Sequence, residues 1–177
     1  RVPMQRSAKG KAARTSRAAD AEALGRGVSG FAQAFKRLKP DWVVVLGDRI
    51  EAFAAASAAS VAGIAVCHIH GGDRAEGVAD EAMRHAISKL AHLHCAATRQ
   101  SGERLEKMGE KPEHVHVTGS PALDGLNKIK PMSNAELRAL GAPGAVLLMH
   151  PSGLANEAEE MLWGAIAAIT ARRAAHG

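Results

Sequence analysis

The chain has 177 residues, 46% of them hydrophobic but only 3% aromatic, and a formal charge of +5. This suffices for one core, or one core plus part of another. It excludes a membrane span, since no apolar run is long enough, and a secretory leader, since no hydrophobic segment follows the first basic residues. The two cysteines, Cys67 and Cys95, form no disulfide framework and lie in apolar runs, where free thiols are expected.

Arg1, Arg6, Lys9, Lys11, Arg14 and Arg17 all precede the first acid, Asp20. Residues 1–17 therefore read as a basic, disordered tail, because blocks of like charge repel. From Ala18 to Leu38, Leu24, Val28, Phe31, Phe35 and Leu38 recur at helical spacing, and Pro40 ends that helix. Trp42 to Leu46 is a continuous apolar run, the pattern of a parallel strand buried on both faces. Glu51 to Val61 reads as an Ala-rich helix and Ile64 to Ile69 as a second strand. A helix is expected from Asp80 to Ala91, and a third strand from His92 to Ala97. The next helix starts at Thr98, a good N-cap, and stops at Gly109. His114 to Val117 is a short fourth strand. This alternation predicts an α/β fold with a parallel sheet and right-handed crossovers.

After Pro121 the pattern loosens. Ser133-Asn134 can cap a short helix. Ala145 to Met149 reads as another strand, ending in His150-Pro151, and a last helix is expected from Asn156 to Arg173. Residues 18–126 thus form one domain, and residues 127–177 a linker and the start of another. A start at Arg and this short second domain are what a fragment would show. Neither the Gly-x-Gly-x-x-Gly fingerprint nor the Gly-Lys-Ser/Thr phosphate loop occurs.

Chemistry-bearing residues collect at the ends of the strands, where open α/β sheets bind ligands. Asp48 follows the first strand at Gly47, either as a partly desolvated acid/base or as a helix N-cap. Glu51 reads as a helix-dipole partner or an ion pair with Arg49. His68 and His70 share one side of their strand by its period of two. His70 is nearer the site, and Gly71-Gly72 allows close approach of a ligand. Asp73 is an acid/base or a ligand for a hydroxyl. Asp80 and Arg84 share a helix face, which usually means a salt bridge. His85 follows Arg84 and points toward the sheet. His-x-His occurs three times, as His68/His70, His92/His94 and His114/His116, but the spacing matches no compact zinc site. With few aromatics and no accompanying motif, the basic run does not indicate nucleic-acid binding.

Together these motifs resemble the UDP-N-acetylglucosamine 2-epimerase family, closest to its hydrolysing branch. The resemblance rests on Leu38-Lys39-Pro40-Asp41, Val45-Leu46-Gly47-Asp48-Arg49-Ile50-Glu51, His68-Ile69-His70-Gly71-Gly72-Asp73, Asp80 through Leu90, Val117-Thr118-Gly119-Ser120-Pro121 and His150-Pro151. It covers about residues 20 to 155. It implies a Rossmann-like parallel sheet within a two-domain, GT-B-like architecture, with the site between the domains. It further implies a homo-oligomeric enzyme that acts on a UDP-sugar with no metal or cofactor, while composition, with no span and few aromatics, makes a cytoplasmic enzyme without membrane or nucleic-acid partners the default expectation. By this resemblance Asp48 and Asp80 are the leading acid/base groups, Arg84 orients Asp80, and His150 faces the leaving diphosphate. Arg49, His70, Asp73, His85 and Ser120 contact substrate. Asp73 stands where the family usually has Glu. The competing expectations are a truncated, inactive sugar-nucleotide-binding or interaction module and, more distantly, a metal-dependent hydrolase using the His pairs.

Overall fold

A computed structural model describes residues 17–74, 80–144, 160, 162–164 and 166–167. The chain divides into two compact units, Arg1–Asp124 and Gly125–Gly177.

The first unit is a four-stranded sheet in the order β1-β2-β3-β4. The strands are β1 (Trp42–Leu46), β2 (Ala65–Ile69), β3 (Leu93–Ala96) and β4 (Val115–Val117). Every neighbouring pair is parallel. α1 (Arg17–Leu38) precedes β1, and α2 (Ile50–Val61), α3 (Asp80–Leu90) and α4 (Arg99–Lys107) are the crossovers. The alternation read from the sequence is therefore the observed fold, with boundaries shifted by a residue or two. Thr98 does cap α4, accepting a bond from the Ser101 N–H.

The register places Val43, Val45, Val66, His68, His94, Ala96, Val115 and Val117 on one face of the sheet. This is the face the helices cover. Val45 and Val66 join Ala55, Ala56, Ala59 and Ile87 in the core, with Phe31 and Phe35 against it. Alanines dominate α2 because a small side chain lets a helix lie close to the strands. Gly102 of α4 serves the same end: a Cβ there would meet Val115, Val117 and Ala96.

One expectation for β1 is corrected. Trp42, Val44 and Leu46 are 50%, 62% and 57% exposed, so the strand is buried on one face only. Strands in chain order, all parallel, send their right-handed crossovers to the same side of the sheet. On that other side Cys67 of β2 is still buried, so the exposure is that of the edge strand β1.

The second unit contains α5 (Asn134–Ala139), closed by a capping box between Ser133 and Glu136. Helical backbone also occurs at 160, 162–164 and 166–167. The expected strand at 145–149 and His150 lie outside the described residues.

Candidate functional site

The site is built on the carboxyl ends of β1 and β2. β1 ends at Gly47, whose φ of 72° turns the chain away from the sheet. Its N–H donates to the Ile69 carbonyl at 3.0 Å, tying the two strand ends together. Asp48 follows, and its carboxylate is ion-paired with Arg84 of α3. The side chains are only 16% and 14% exposed, so the pair is shielded from water and little screened. Asp48 is not a helix cap: the N-cap of α2 is Arg49, which makes no side-chain cap bond. Arg49 is exposed and pairs with Glu51 at 3.5 Å, as the sequence suggested.

Arg84 reaches a second carboxylate, with Nη1 standing 3.9 Å from Oδ2 of Asp73. Here the expected Asp80–Arg84 pairing is corrected. Arg84 bridges Asp48 and Asp73, and among the described residues it makes no ion pair to Asp80. The planar guanidinium can serve two acceptors at once, and two strand ends supply them. Asp80 sits half-buried at the first position of α3. Among the described residues Arg84 Nε has no hydrogen-bond partner although it is buried.

β2 stops at Ile69, and His70 adopts φ 66°, in the left-handed region. A non-glycine residue there costs roughly 1 kcal/mol or more and persists only where its surroundings fix it. His70 is fixed at both ring nitrogens. Nδ1 is 2.8 Å from Asp73 Oδ2, and Nε2 is 2.9 Å from the Ser120 hydroxyl. This backbone turn also corrects the expectation that His68 and His70 share one side. Alternation holds only while the strand lasts.

His68 instead points into the core under the helices, fully buried. Its Nε2 donates to the Gly47 carbonyl at 2.8 Å, leaving Nδ1 to accept from Ser88 at 3.0 Å. Burial pushes its pKa down to about 4, partly offset by the bond to Gly47. It is therefore a neutral structural group. His94, its register partner, is also fully buried and bonds to Glu110 at 3.2 Å. Burial lowers its pKa as well, against the opposing pull of Glu110. His92 Nδ1 accepts the Val66 N–H. The first two His-x-His pairs are thus spent on separate partners, and among the described residues no three ligating side chains gather into a metal site.

Asp73 is gripped from three directions. Ser101 donates to Oδ1 at 2.5 Å, while His70 and Arg84 address Oδ2. Burial raises its pKa, but the bonds from Ser101 and His70 and the nearby positive charge outweigh that, holding the carboxyl below the usual carboxylate range. Thr98 holds Ser101 in turn through an Oγ–Oγ bond of 2.8 Å. Gly72 makes this approach possible. A Cβ there would stand 2.2 Å from the Ser101 carbonyl oxygen. Arg104 of α4 donates to the Gly72 carbonyl.

Ser101, Arg104 and Ser88 escaped sequence reasoning. Each is remote in sequence from the group it serves, and a serine or threonine near a helix start reads only as a cap. Of the predicted residues, the structure unites Asp48, Arg84, Asp73, His70 and Ser120 in one network. Among the described residues Arg49 and Asp80 make no bond to it. His85 lies aside, 3.5 Å from Glu81.

A sequence model of the UDP-N-acetylglucosamine 2-epimerase family matches residues 8–176. The chain belongs to that family. It is 48% identical over 110 residues to the hydrolyzing UDP-N,N'-diacetylbacillosamine 2-epimerase of Legionella pneumophila, covering 62% of this chain and 29% of the relative. It is 43% identical over 101 residues to the UDP-N-acetylglucosamine 2-epimerase of Neisseria meningitidis, covering 57% of this chain and 26% of that protein. The crystal structure of a Neisseria meningitidis UDP-GlcNAc 2-epimerase bound to UDP-GlcNAc superposes with a TM-score of 0.60 at 30% identity, covering 66% of this chain and 32% of that one. A second UDP-N-acetylglucosamine 2-epimerase structure gives 0.62 at 33% identity, covering 69% and 36%. The parallel α/β sheet is thus the one found in these GT-B-like proteins. The chain spans less than a third of the length of either of these two curated relatives.

Proposed function

We propose that this chain carries the sugar-facing half of a hydrolysing UDP-N-acetylglucosamine 2-epimerase. The observation that supports this most is Arg84 joining Asp48 and Asp73 at the ends of adjacent strands. Epimerisation at C2 by elimination and hydration needs acid/base groups on two faces of the sugar ring. In the first step a base takes the C2 proton while UDP leaves C1, giving a glycal. Water then adds to C1, and C2 is reprotonated from the opposite face, releasing the epimerised sugar. Asp48 and Asp80 are assigned as the acid/base pair. Arg84 neutralises the carboxylate cluster and fixes Asp48. Arg49 and His85 are assigned to substrate contact, and His150 to the leaving diphosphate. Hydrolysing relatives from Legionella and Campylobacter favour release of a free sugar over simple interconversion.

Incubation of the chain with UDP-N-acetylglucosamine should release UDP and N-acetylmannosamine, read by ion-exchange chromatography. Asp48→Asn should lower UDP release by about 100-fold or more. Release of neither product by the wild-type chain would refute the assignment. The partial coverage of the relatives supports a second reading, an inactive sugar-nucleotide-binding module. It predicts UDP binding by calorimetry with no turnover. Composition makes a cytoplasmic setting the default, and the family resemblance suggests a homo-oligomer, which size-exclusion chromatography tests. Among the described residues no helix is long and apolar enough to cross a membrane.

A further inference from the structure

The network around Asp73 contains a chain of three groups in line. Asp73 Oδ2 meets His70 Nδ1 at 2.8 Å, and His70 Nε2 meets Ser120 Oγ at 2.9 Å. This is the order of a carboxylate–imidazole–hydroxyl triad, recognised by geometry and not by chain position. It is assembled from two places. His70 and Asp73 come from the loop after β2, and Ser120 from the segment just beyond β4. Thr118 N–H, two residues earlier, still bonds to the Ala96 carbonyl at the end of β3. Ser120 therefore stands on the same rim of the sheet as Gly47, Asp48 and His70.

Both oxygens of Asp73 are engaged by the protein. Ser101 occupies Oδ1, and His70 and Arg84 occupy Oδ2. Its place in the network is to orient the imidazole through Nδ1. The member with an uncommitted proton is Ser120. Its oxygen accepts the Ala122 N–H at 3.3 Å and bonds to His70, so with His70 charged the hydroxyl proton is free to point outward. The strained φ of His70 belongs to the same device, since it is what swings the ring out of line with His68. Acyl transfer, the usual work of such a triad, is poorly served here. Pro121 follows the serine and has no N–H, and the Ala122 N–H is already taken by Ser120 itself.

We infer that Ser120 is a catalytic residue that passes a proton to the sugar, resupplied by His70, with Asp73 as the positioning residue behind them. The inference rests on the 2-epimerase reading above. In the hydration half, the π electrons of the glycal form the new C2–H bond with the Ser120 hydroxyl proton. The Nε2–H of charged His70 moves to Ser120 Oγ, leaving a neutral imidazole whose Nδ1–H stays on Asp73. The water oxygen bonds to C1, and its proton passes to a neighbouring carboxylate. His70 regains its proton from solvent and the carboxylate returns one, so the cycle balances.

The test is steady-state turnover of UDP-N-acetylglucosamine by the full chain and by Ser120→Ala, Ser120→Thr and His70→Asn, with circular dichroism as the folding control. Ser120→Ala should lose about 100-fold in kcat with KM within about threefold, as loss of a proton-transfer group does. Ser120→Thr, which keeps the hydroxyl, should recover at least about tenfold of that loss. Should Ser120→Ala fail to fold, His70→Asn provides the comparison, because Asn tolerates the left-handed backbone. Wild-type turnover with Ser120→Ala, or in its place His70→Asn, within about threefold of it overturns the relay and leaves the 2-epimerase reading standing. No UDP release from the wild-type chain overturns both.

Discussion

His68 and His70 lie two residues apart on one strand end, yet they have opposite fates. His68 faces the helix-covered side, fully buried, and is held neutral between Gly47 and Ser88. His70 lies past the end of the strand, with its ring between a carboxylate and a hydroxyl. The difference teaches that residue type carries little functional information at a strand end. What matters is whether the pleat continues. A buried ring with both nitrogens satisfied stabilises the join between β1 and β2. A ring turned onto the rim can exchange protons.

The largest expected effect comes from breaking the turn that separates the two. Gly72→Ala would force a Cβ against the Ser101 carbonyl at a φ of 78°. It should cost roughly 3 kcal/mol, from backbone strain plus overpacking, and loosen His70 while β1 and β2 remain paired. Urea unfolding measures the loss, and hydrogen exchange shows whether it is confined to the loop.

Next is acid. His68 takes its proton near its ordinary value when unfolded but only near pH 4 when folded. As pH falls between those values the unfolded chain binds more protons, so stability falls. The depressed pKa corresponds to about 3 kcal/mol at the lower end, and His94 adds loss in the same direction. Unfolding free energy measured from pH 7 to pH 4 checks the slope. A flat profile would mean that these rings are solvated.

The smallest effect separates the two histidines directly. His68→Asn should cost about 2 kcal/mol, because the Gly47 carbonyl and Ser88 lose a buried partner. His70→Asn should change stability by no more than about 0.5 kcal/mol, since the ring is partly exposed and Asn accepts the left-handed backbone. Equal costs in thermal or urea unfolding would erase the distinction between structural and rim histidine.

The fold was largely legible because its signals are local. Apolar runs of strand length alternate with helical spacing, Thr98 precedes a helix, and Gly109 follows one. The gathering of Asp48, His70, Asp73 and Arg84 was legible too, because parallel strands in chain order bring their carboxyl ends to one edge. The pairing inside that gathering was not. Helical spacing offered Asp80 to Arg84, but the guanidinium turns to Asp48 and Asp73 on the strand ends. Ser101 and Ser120 reach their partners across 28 and 50 residues, and no short-range pattern encodes such contacts. The run from Trp42 to Leu46 declared a strand but could not say which side would be covered, since an apolar run has no preferred face. By itself, then, the sequence determined the order of elements, the rim on which polar groups collect and the family. Which partner each group takes, and which histidine is buried, followed only from packing, because side-chain direction depends on where the pleat stops and on what neighbouring elements bring into reach.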